Sequence, residues 1–338
     1  MINNIYSIFS EEIKEIKETV IADTKKLPKS LYPLVEYYLT KRLLITHGNS
    51  SQQIYDPHIG RPVPYAVYWF SDALGLKDQK IINKLALSMV YSSIATTIRD
   101  DIVDGETNSC ADCFRLYKVF NCLYLGIFIN LFKKKSQFWY ILAESDREHD
   151  EYERWVMTQN GPPEIDPYSD PYLLESSRYF TAVVFPSLAA TALLSGNPTK
   201  VDRIRRFLLN YGCGWRIFDD LDDWMIDVAK NNYNNSTLLH SIQREYGKSL
   251  KLTPNEVWSM FLDKRFIEKT TNTMLKYFRA ARREILPLKN GYLTKFIDDQ
   301  INVQYKLEQF FSIRSTKFYE DIAGIIEKGL KSNESKPM

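Results

Sequence analysis

Two stretches of aspartate stand out because their chemistry is not required by folding alone. The first is Asp100-Asp101-Ile102-Val103-Asp104, and the second is Asp219-Asp220-Leu221-Asp222-Asp223, extended by Asp227. Both have the form Asp-Asp-x-x-Asp, and each closes an apolar segment of helical period. Residues three and four apart share a helix face, so Asp104 lies beside Asp100 and Asp101, and Asp223 beside Asp219 and Asp220. Two unit charges about 4 Å apart repel by about 4 kcal/mol at an effective dielectric near 20. Such rows call for a cation. Mg²⁺ prefers oxygen ligands, keeps several waters, and takes one or two carboxylates together with a substrate's phosphate oxygens. Two rows facing each other would hold a cluster of about three Mg²⁺ ions around a diphosphate. A charge run is ordinarily a solvated helix face. Two copies, each following an apolar run, weigh against that here.

The elements behind these rows read as helices throughout. Glycine is scarce, at 13 of 338 residues, strand-like alternation is rare, and 3.6-residue periods recur. The expected fold is all-α, one helical domain over 1–338, with N-terminal helices within 1–50 and a loose tail at 332–338. Helices are expected near 4–26, 32–46, 65–74, 77–103, 112–132, 136–158, 170–194 and 199–229. A loop follows at 230–235. Thr253-Pro-Asn-Glu256 has the form of a capping box and opens a helix to about 286. Two more helices then cover 292–316 and the stretch to about 331.

Composition limits the partners. A hydrophobic share of 44% supplies a sizeable core, and a net charge of +2 with interspersed signs leaves no nucleic-acid footprint. The charged start at Glu11, Glu12, Lys14 and Lys17 lacks the apolar core of a signal peptide. The longest apolar run, 119–132, is short of the roughly 20 residues that span a bilayer. A soluble, cytoplasmic protein without membrane insertion is expected. Cys110 and Cys113 have Cys-x-x-Cys spacing but no second pair to complete a zinc site. His47, His58, His149 and His240 form no ligand or triad spacing.

Leu85 to Asp104, Ser177 to Gly196 and Phe218 to Asp223 together resemble the trans-isoprenyl diphosphate synthases. The resemblance covers roughly 50–239 and implies a class I isoprenoid synthase bundle around a central cavity. It also implies Mg²⁺ bound by Asp100, Asp101, Asp104, Asp219, Asp220, Asp223 and Asp227, and a prenyl diphosphate as substrate. Homodimers are usual among such proteins. Elongating members hold a second substrate, isopentenyl diphosphate, with a Gly-Lys-x-x-Arg-Pro segment. Here the matching stretch is Ile59-Gly-Arg-Pro-Val-Pro64, with Gly60 and Val63 where cations are expected. Paired arginines after the first row are also missing, since none occurs before Arg115. The expected function is therefore a Mg²⁺-dependent terpene synthase that ionises one prenyl diphosphate. A chain-elongating prenyltransferase with an atypical second site is the alternative, and a non-catalytic subunit that keeps the fold is a third reading.

Four cations are candidates for the diphosphate. They are Arg178 on the intervening helix, Arg99 directly before the first row, Lys230 after the second row, and Arg314 near the C-terminus. Each has an ordinary surface role as its competing explanation, and Arg99 is equally suited to pairing with an acid such as Glu106. Counting back by turns, the cavity candidates are Met89, Ser93, Thr96 and Thr97 above the first row and Gly212 and Trp215 above the second. Phe180, Thr181 and Phe185 share the helix of Arg178. In the elongating members a bulky residue four or five positions before the first Asp closes the pocket floor. With small Ala95 and Thr96 there, the resemblance implies a deep pocket and a substrate of C20 or longer.

Overall fold

The computed structural model describes Ile5 and residues 7–42, 63–103, 110–158, 164–230, 236–247 and 251–334. The described chain is helical and carries no strand, as the periodicity predicts. Its contacts divide it into two compact units. One comprises Met1–Glu153, Ser177–Gly212 and Ala280–Asp299, and the other Arg154–Ser176, Cys213–Arg279 and Gln300–Met338.

The first unit is organised on α4 (Gln79–Val103), which α1 (Ser10–Thr24), α2 (Tyr32–Arg42), α3 (Tyr65–Leu74) and α5 (Cys110–Leu131) all touch. Buried residues lie all round α4, from Ile82 to Asp101. A helix apolar on every side must be enclosed on every side. α3 ends at Gly75, where φ is 75° and the Leu76 amide donates to the Ser71 carbonyl at 2.9 Å. That is the glycine C-terminal stop a left-handed residue provides. α6 (Gln137–Met157) and the C-terminal part of α7 (Asp170–Leu194) meet α4 as well, α6 through Asp150 and Glu153 on Arg99 and α7 through Ser187 on Ser88.

Hydroxyls inside this packing are satisfied locally. Ser88 donates to Leu85, Thr97 to Ser93, Thr181 to Ser177 and Thr191 to Ser187, all at main-chain carbonyls of their own helices. Ser92 reaches the Val183 carbonyl at 3.2 Å, and the Ser88 and Ser187 hydroxyls lie 2.9 Å apart. α4 and α7 are both long and apolar enough to cross a membrane, and in each 72% of the apolar window is buried inside the protein. That is the burial of a core helix. Small hydroxyl residues had hidden the length of these apolar runs from a reading by residue type.

The second unit joins the C-terminal part of α8 (Val201–Lys230) to α9 (Thr237–Glu245), α10 (Pro254–Leu262) and α11 (Lys264–Ile285). Trp224, Val228, Leu238, Leu239, Ile242, Val257, Phe261 and Ile267 form its core, with Phe311 of α12 (Gly291–Glu334) packed on the edge. Thr253 accepts from the Glu256 amide and Glu256 reaches back to the Thr253 amide, the expected capping box. Three boundaries differ from expectation. α9 occupies a stretch between 235 and 253 for which no element is expected. The helix expected over 253–286 is interrupted at Asp263, whose extended ψ of 110° breaks it. Its carboxylate then accepts from the Arg265 and Phe266 amides and starts α11. The two helices expected after residue 291 are one, α12, of 44 residues.

Candidate functional site

Asp100 and Asp101 sit in the last turn of α4. Cations, not carboxylates, are favoured at a helix C-terminus, where the macrodipole is negative. The first row is therefore placed where its charges are least welcome. Asp101 is only 8% exposed. Its hydrogen-bond partner is the hydroxyl of Tyr38 from α2, which also lies 3.9 Å from Cys113 Sγ on α5. Burial first, and then the Asp101 charge, push the Tyr38 hydroxyl far above the usual phenol range. Asp100 is half-buried and accepts from the Tyr179 hydroxyl of α7 at 3.3 Å. Asp104 lies outside the described residues.

Around this row the expected cations are engaged. Arg99 donates to Asp150 at 2.7 Å and also to Glu153, both on α6. Burial works against its charge, but the two carboxylates outweigh it and raise the guanidinium above its ordinary value. Glu106, an expected partner, lies outside the described residues. Arg178 pairs with Glu151 at 3.3 Å, and both are about one-third exposed. Its neighbour Tyr179 is packed against His149 and Tyr152, with ring centroids 5.5 and 5.4 Å away. α6 and α7 thus bring Arg178 to the same end of the first unit as Asp100.

The second row lies along the last three turns of α8. Asp220 is 2% exposed. It accepts from the Leu238 amide at 3.0 Å and faces Arg216 at 3.3 Å. Burial pushes its carboxyl up to about 7, partly opposed by Arg216 and the Leu238 amide, with Asp219 and Asp227 adding repulsion. Asp219 and Asp227 are half-buried. The side chains of Asp223, Lys230 and Arg314 lie outside the described residues. Behind the row, His240 Nδ1 is 2.9 Å from the Tyr172 hydroxyl, and burial lowers the imidazole to about 4, helped by Arg216. His240 is therefore a neutral core histidine.

The cavity candidates are placed as follows. Met89, Thr96, Thr97, Thr181 and Phe185 are buried in the first unit, Phe185 with the Arg205 guanidinium 5.9 Å from its ring centroid. Ser93 and Phe180 are half-buried, and Phe180 packs on Tyr211 at 5.3 Å. Gly212 serves helix contact. A Cβ there would lie 3.0 Å from that of Ser177 and 3.3 Å from the Ser177 carbonyl oxygen. Trp215, half-buried, packs on Phe218 at 5.2 Å in the second unit.

The donors suit a hard divalent cation. They are carboxylate oxygens without sulfur or nitrogen, and Asp219 and Asp227 each repel the Asp220 carboxylate. Among the described residues no group of three or more His, Cys, Asp or Glu side chains converges on a metal position. Residue types did not reveal the roles of Tyr38, Tyr179 and the Leu238 amide. Only Tyr179 carried a signal, as the neighbour of Arg178.

No family model and no curated protein matches the chain. Solved structures do. Geranylgeranyl pyrophosphate synthase from Lactobacillus brevis ATCC 367 is 15% identical, with a TM-score of 0.66, over 88% of this chain and 96% of that one. A polyprenyl synthase from Caulobacter crescentus CB15, complexed with calcium and isoprenyl diphosphate, is 14% identical, with a TM-score of 0.61, over 89% and 97%. A further geranylgeranyl pyrophosphate synthase is 15% identical, with a TM-score of 0.63, over 91% and 99%. The chain has the isoprenyl diphosphate synthase fold. On that fold the two acidic rows end α4 and α8, and the fold class expected from periodicity and motifs is the one found.

Proposed function

We propose that this chain is a Mg²⁺-dependent enzyme that ionises an allylic prenyl diphosphate. One observation carries the reading: two rows of carboxylate-only donors end two long helices of an isoprenyl diphosphate synthase fold. Asp100, Asp101 and Asp104 would hold Mg²⁺ from one row, and Asp219, Asp223 and Asp227 from the other. Bound Mg²⁺ supplies positive charge to the departing diphosphate. Asp220, with both oxygens engaged, anchors its row. Arg178 reaches the diphosphate by exchanging Glu151 for phosphate oxygens, and an ion pair this exposed costs little to break. Lys230 and Arg314 add later cations. Hydroxyls bonded to their own carbonyls on α4 and α7 favour a dry interior, which an allylic cation requires.

Two fates of that cation are supported by different observations. Solved structures of the same fold are prenyl synthases, which favours chain elongation with isopentenyl diphosphate. Gly60, Val63 and the arginine-free stretch after the first row favour the second reading, a terpene synthase that adds no second diphosphate. A C20 or longer substrate and a cytoplasmic, single-domain protein belong to both.

The test is incubation with geranyl, farnesyl, geranylgeranyl and longer diphosphates plus Mg²⁺, with and without isopentenyl diphosphate. Longer diphosphates formed only with isopentenyl diphosphate establish elongation, and hydrocarbons or alcohols formed without it establish the second fate. Absence of diphosphate release from every substrate overturns both.

A further inference from the structure

Between Asp112 and Glu144 the chain carries no acidic residue, although it has 42 of them in all. The same stretch holds Arg115, Lys118, Lys133, Lys134 and Lys135. It forms α5, a short turn and the start of α6. The flanking acids are already paired, Asp112 with Arg115 and Glu144 with Arg147 and Arg205. The three consecutive lysines occupy the turn and are all exposed. Beside them, in the last turn of α5 and the first of α6, stand Ile129 and Tyr140, 65% and 71% exposed.

The turn is braced. Phe132 and Phe138 stack across it with ring centroids 4.2 Å apart, and the Trp139 indole and the Ser136 amide both donate to the Lys133 carbonyl at 2.9 Å. Its cations and exposed apolar tips are thus presented together, with little left to order on binding. Lysines alone would suit any polyanion, since phosphate contacts need only charge. Isoleucine and tyrosine gain nothing from a soluble polyanion. They do gain from the boundary between lipid headgroups and acyl chains, where amphipathic rings settle. A second copy is disfavoured, because an isologous interface would set this acid-free stretch against its own cations.

We propose that the α5–α6 turn is a peripheral docking surface for an anionic lipid bilayer, with Lys133, Lys134 and Lys135 on the headgroups and Ile129 and Tyr140 entering the interface. The chain lies on such a surface without crossing it. The inference goes beyond the function proposed above and stands without it, since vesicle binding requires no turnover.

The experiment sediments the full chain with phosphatidylcholine vesicles, alone and with about one-third phosphatidylserine, across a range of KCl. The expected result is binding to the anionic vesicles only, weakening as salt shortens the screening length. Each lysine near such a surface contributes roughly fivefold, so the combined variant Lys133→Gln, Lys134→Gln, Lys135→Gln should bind roughly 100-fold more weakly with its thermal midpoint retained. Ile129→Ser with Tyr140→Ser should weaken binding roughly 10-fold and keep the salt dependence. Salt acts on the unmodified protein, so the charge requirement is tested even where a variant fails to fold. Equal binding to neutral and anionic vesicles overturns the proposal, as does binding to neither. Unchanged affinity in the glutamine variant overturns it too. Loss with the lysine changes but not with the serine changes assigns the turn to a soluble polyanion instead. A dimer that the serine changes dissolve, with vesicle binding unaltered, assigns the face to a second copy.

Discussion

Asp220 accepts the Leu238 amide at 3.0 Å, which ties the middle of the second acidic row to the first turn of α9. A carboxylate at a helix start meets free amides and the positive end of the helix dipole. Arg216, one turn earlier on α8, holds the other oxygen. The row therefore has an anchor of its own, separate from any metal.

That anchor sets a dependence on pH in metal-free protein. Asp220 has its carboxyl raised to about 7 by burial, so the folded state keeps a proton that the unfolded state has lost. Its contribution is present below about pH 4 and is lost as pH rises to 7. His240 is lowered to about 4 by burial, so its contribution is present above about 6.5 and is lost as pH falls to 4. The slopes oppose each other and nearly cancel between pH 4 and 6.5. Asp220→Asn should expose the histidine slope, with a thermal midpoint falling toward acid. His240→Asn should expose the other, falling as pH rises to 7. Thermal scans in chelator across pH 4 to 7 check both.

Gly214 faces the Phe278 ring, where an added Cβ would lie 2.8 Å from a ring carbon. Phe278 is fully buried and has no room to retreat. Gly214→Ala should destabilise by about 1–3 kcal/mol. Gly126→Ala on α5, with nothing within 4 Å, should instead stabilise by about 0.5–1 kcal/mol. Urea unfolding of the pair separates crowding from helix propensity.

Gln300 and Gln304 lie one turn apart on α12, fully buried, and neither amide oxygen nor nitrogen meets a partner among the described residues. Leaving buried polar groups unmet costs roughly 1–3 kcal/mol each, and apolar groups of the same shape avoid it. Gln300→Leu and Gln304→Leu should each raise the urea midpoint, by about 1 kcal/mol in stability.

In the proposed reaction, Asp100→Ala and Asp219→Ala should each lower diphosphate release by roughly 10²–10³-fold. Arg178→Ala should raise KM for the prenyl diphosphate and leave the thermal midpoint nearly unchanged, because its pair with Glu151 is too exposed to stabilise the fold. Steady-state kinetics with a coupled diphosphate assay, alongside thermal scans, checks both.

Much of this was legible in residue order. The bounds of α3 and α7 follow from proline, glycine and apolar period, and the Thr253 cap follows from four residues. α9 escaped because nine residues hold too few turns to establish a period, and the polar Thr237, His240, Ser241 and Gln243 are buried beside the apolar ones. Asp263 escaped because a single extended residue between two helices leaves no glycine or proline behind. At the site, the aspartates declared themselves by spacing. Their phenol partners did not, since Tyr38 stands 63 positions from Asp101 and only tertiary packing joins them.

The hydroxyls of α4 and α7 have one more consequence. Because Ser88, Ser92, Thr97, Thr181 and Thr191 all discharge their protons onto carbonyls, that stretch of interior closes without recruiting solvent to complete its bonds. A short-lived electrophile generated beside it would find those five hydroxyl protons already engaged, none of them left over to hold water in its path.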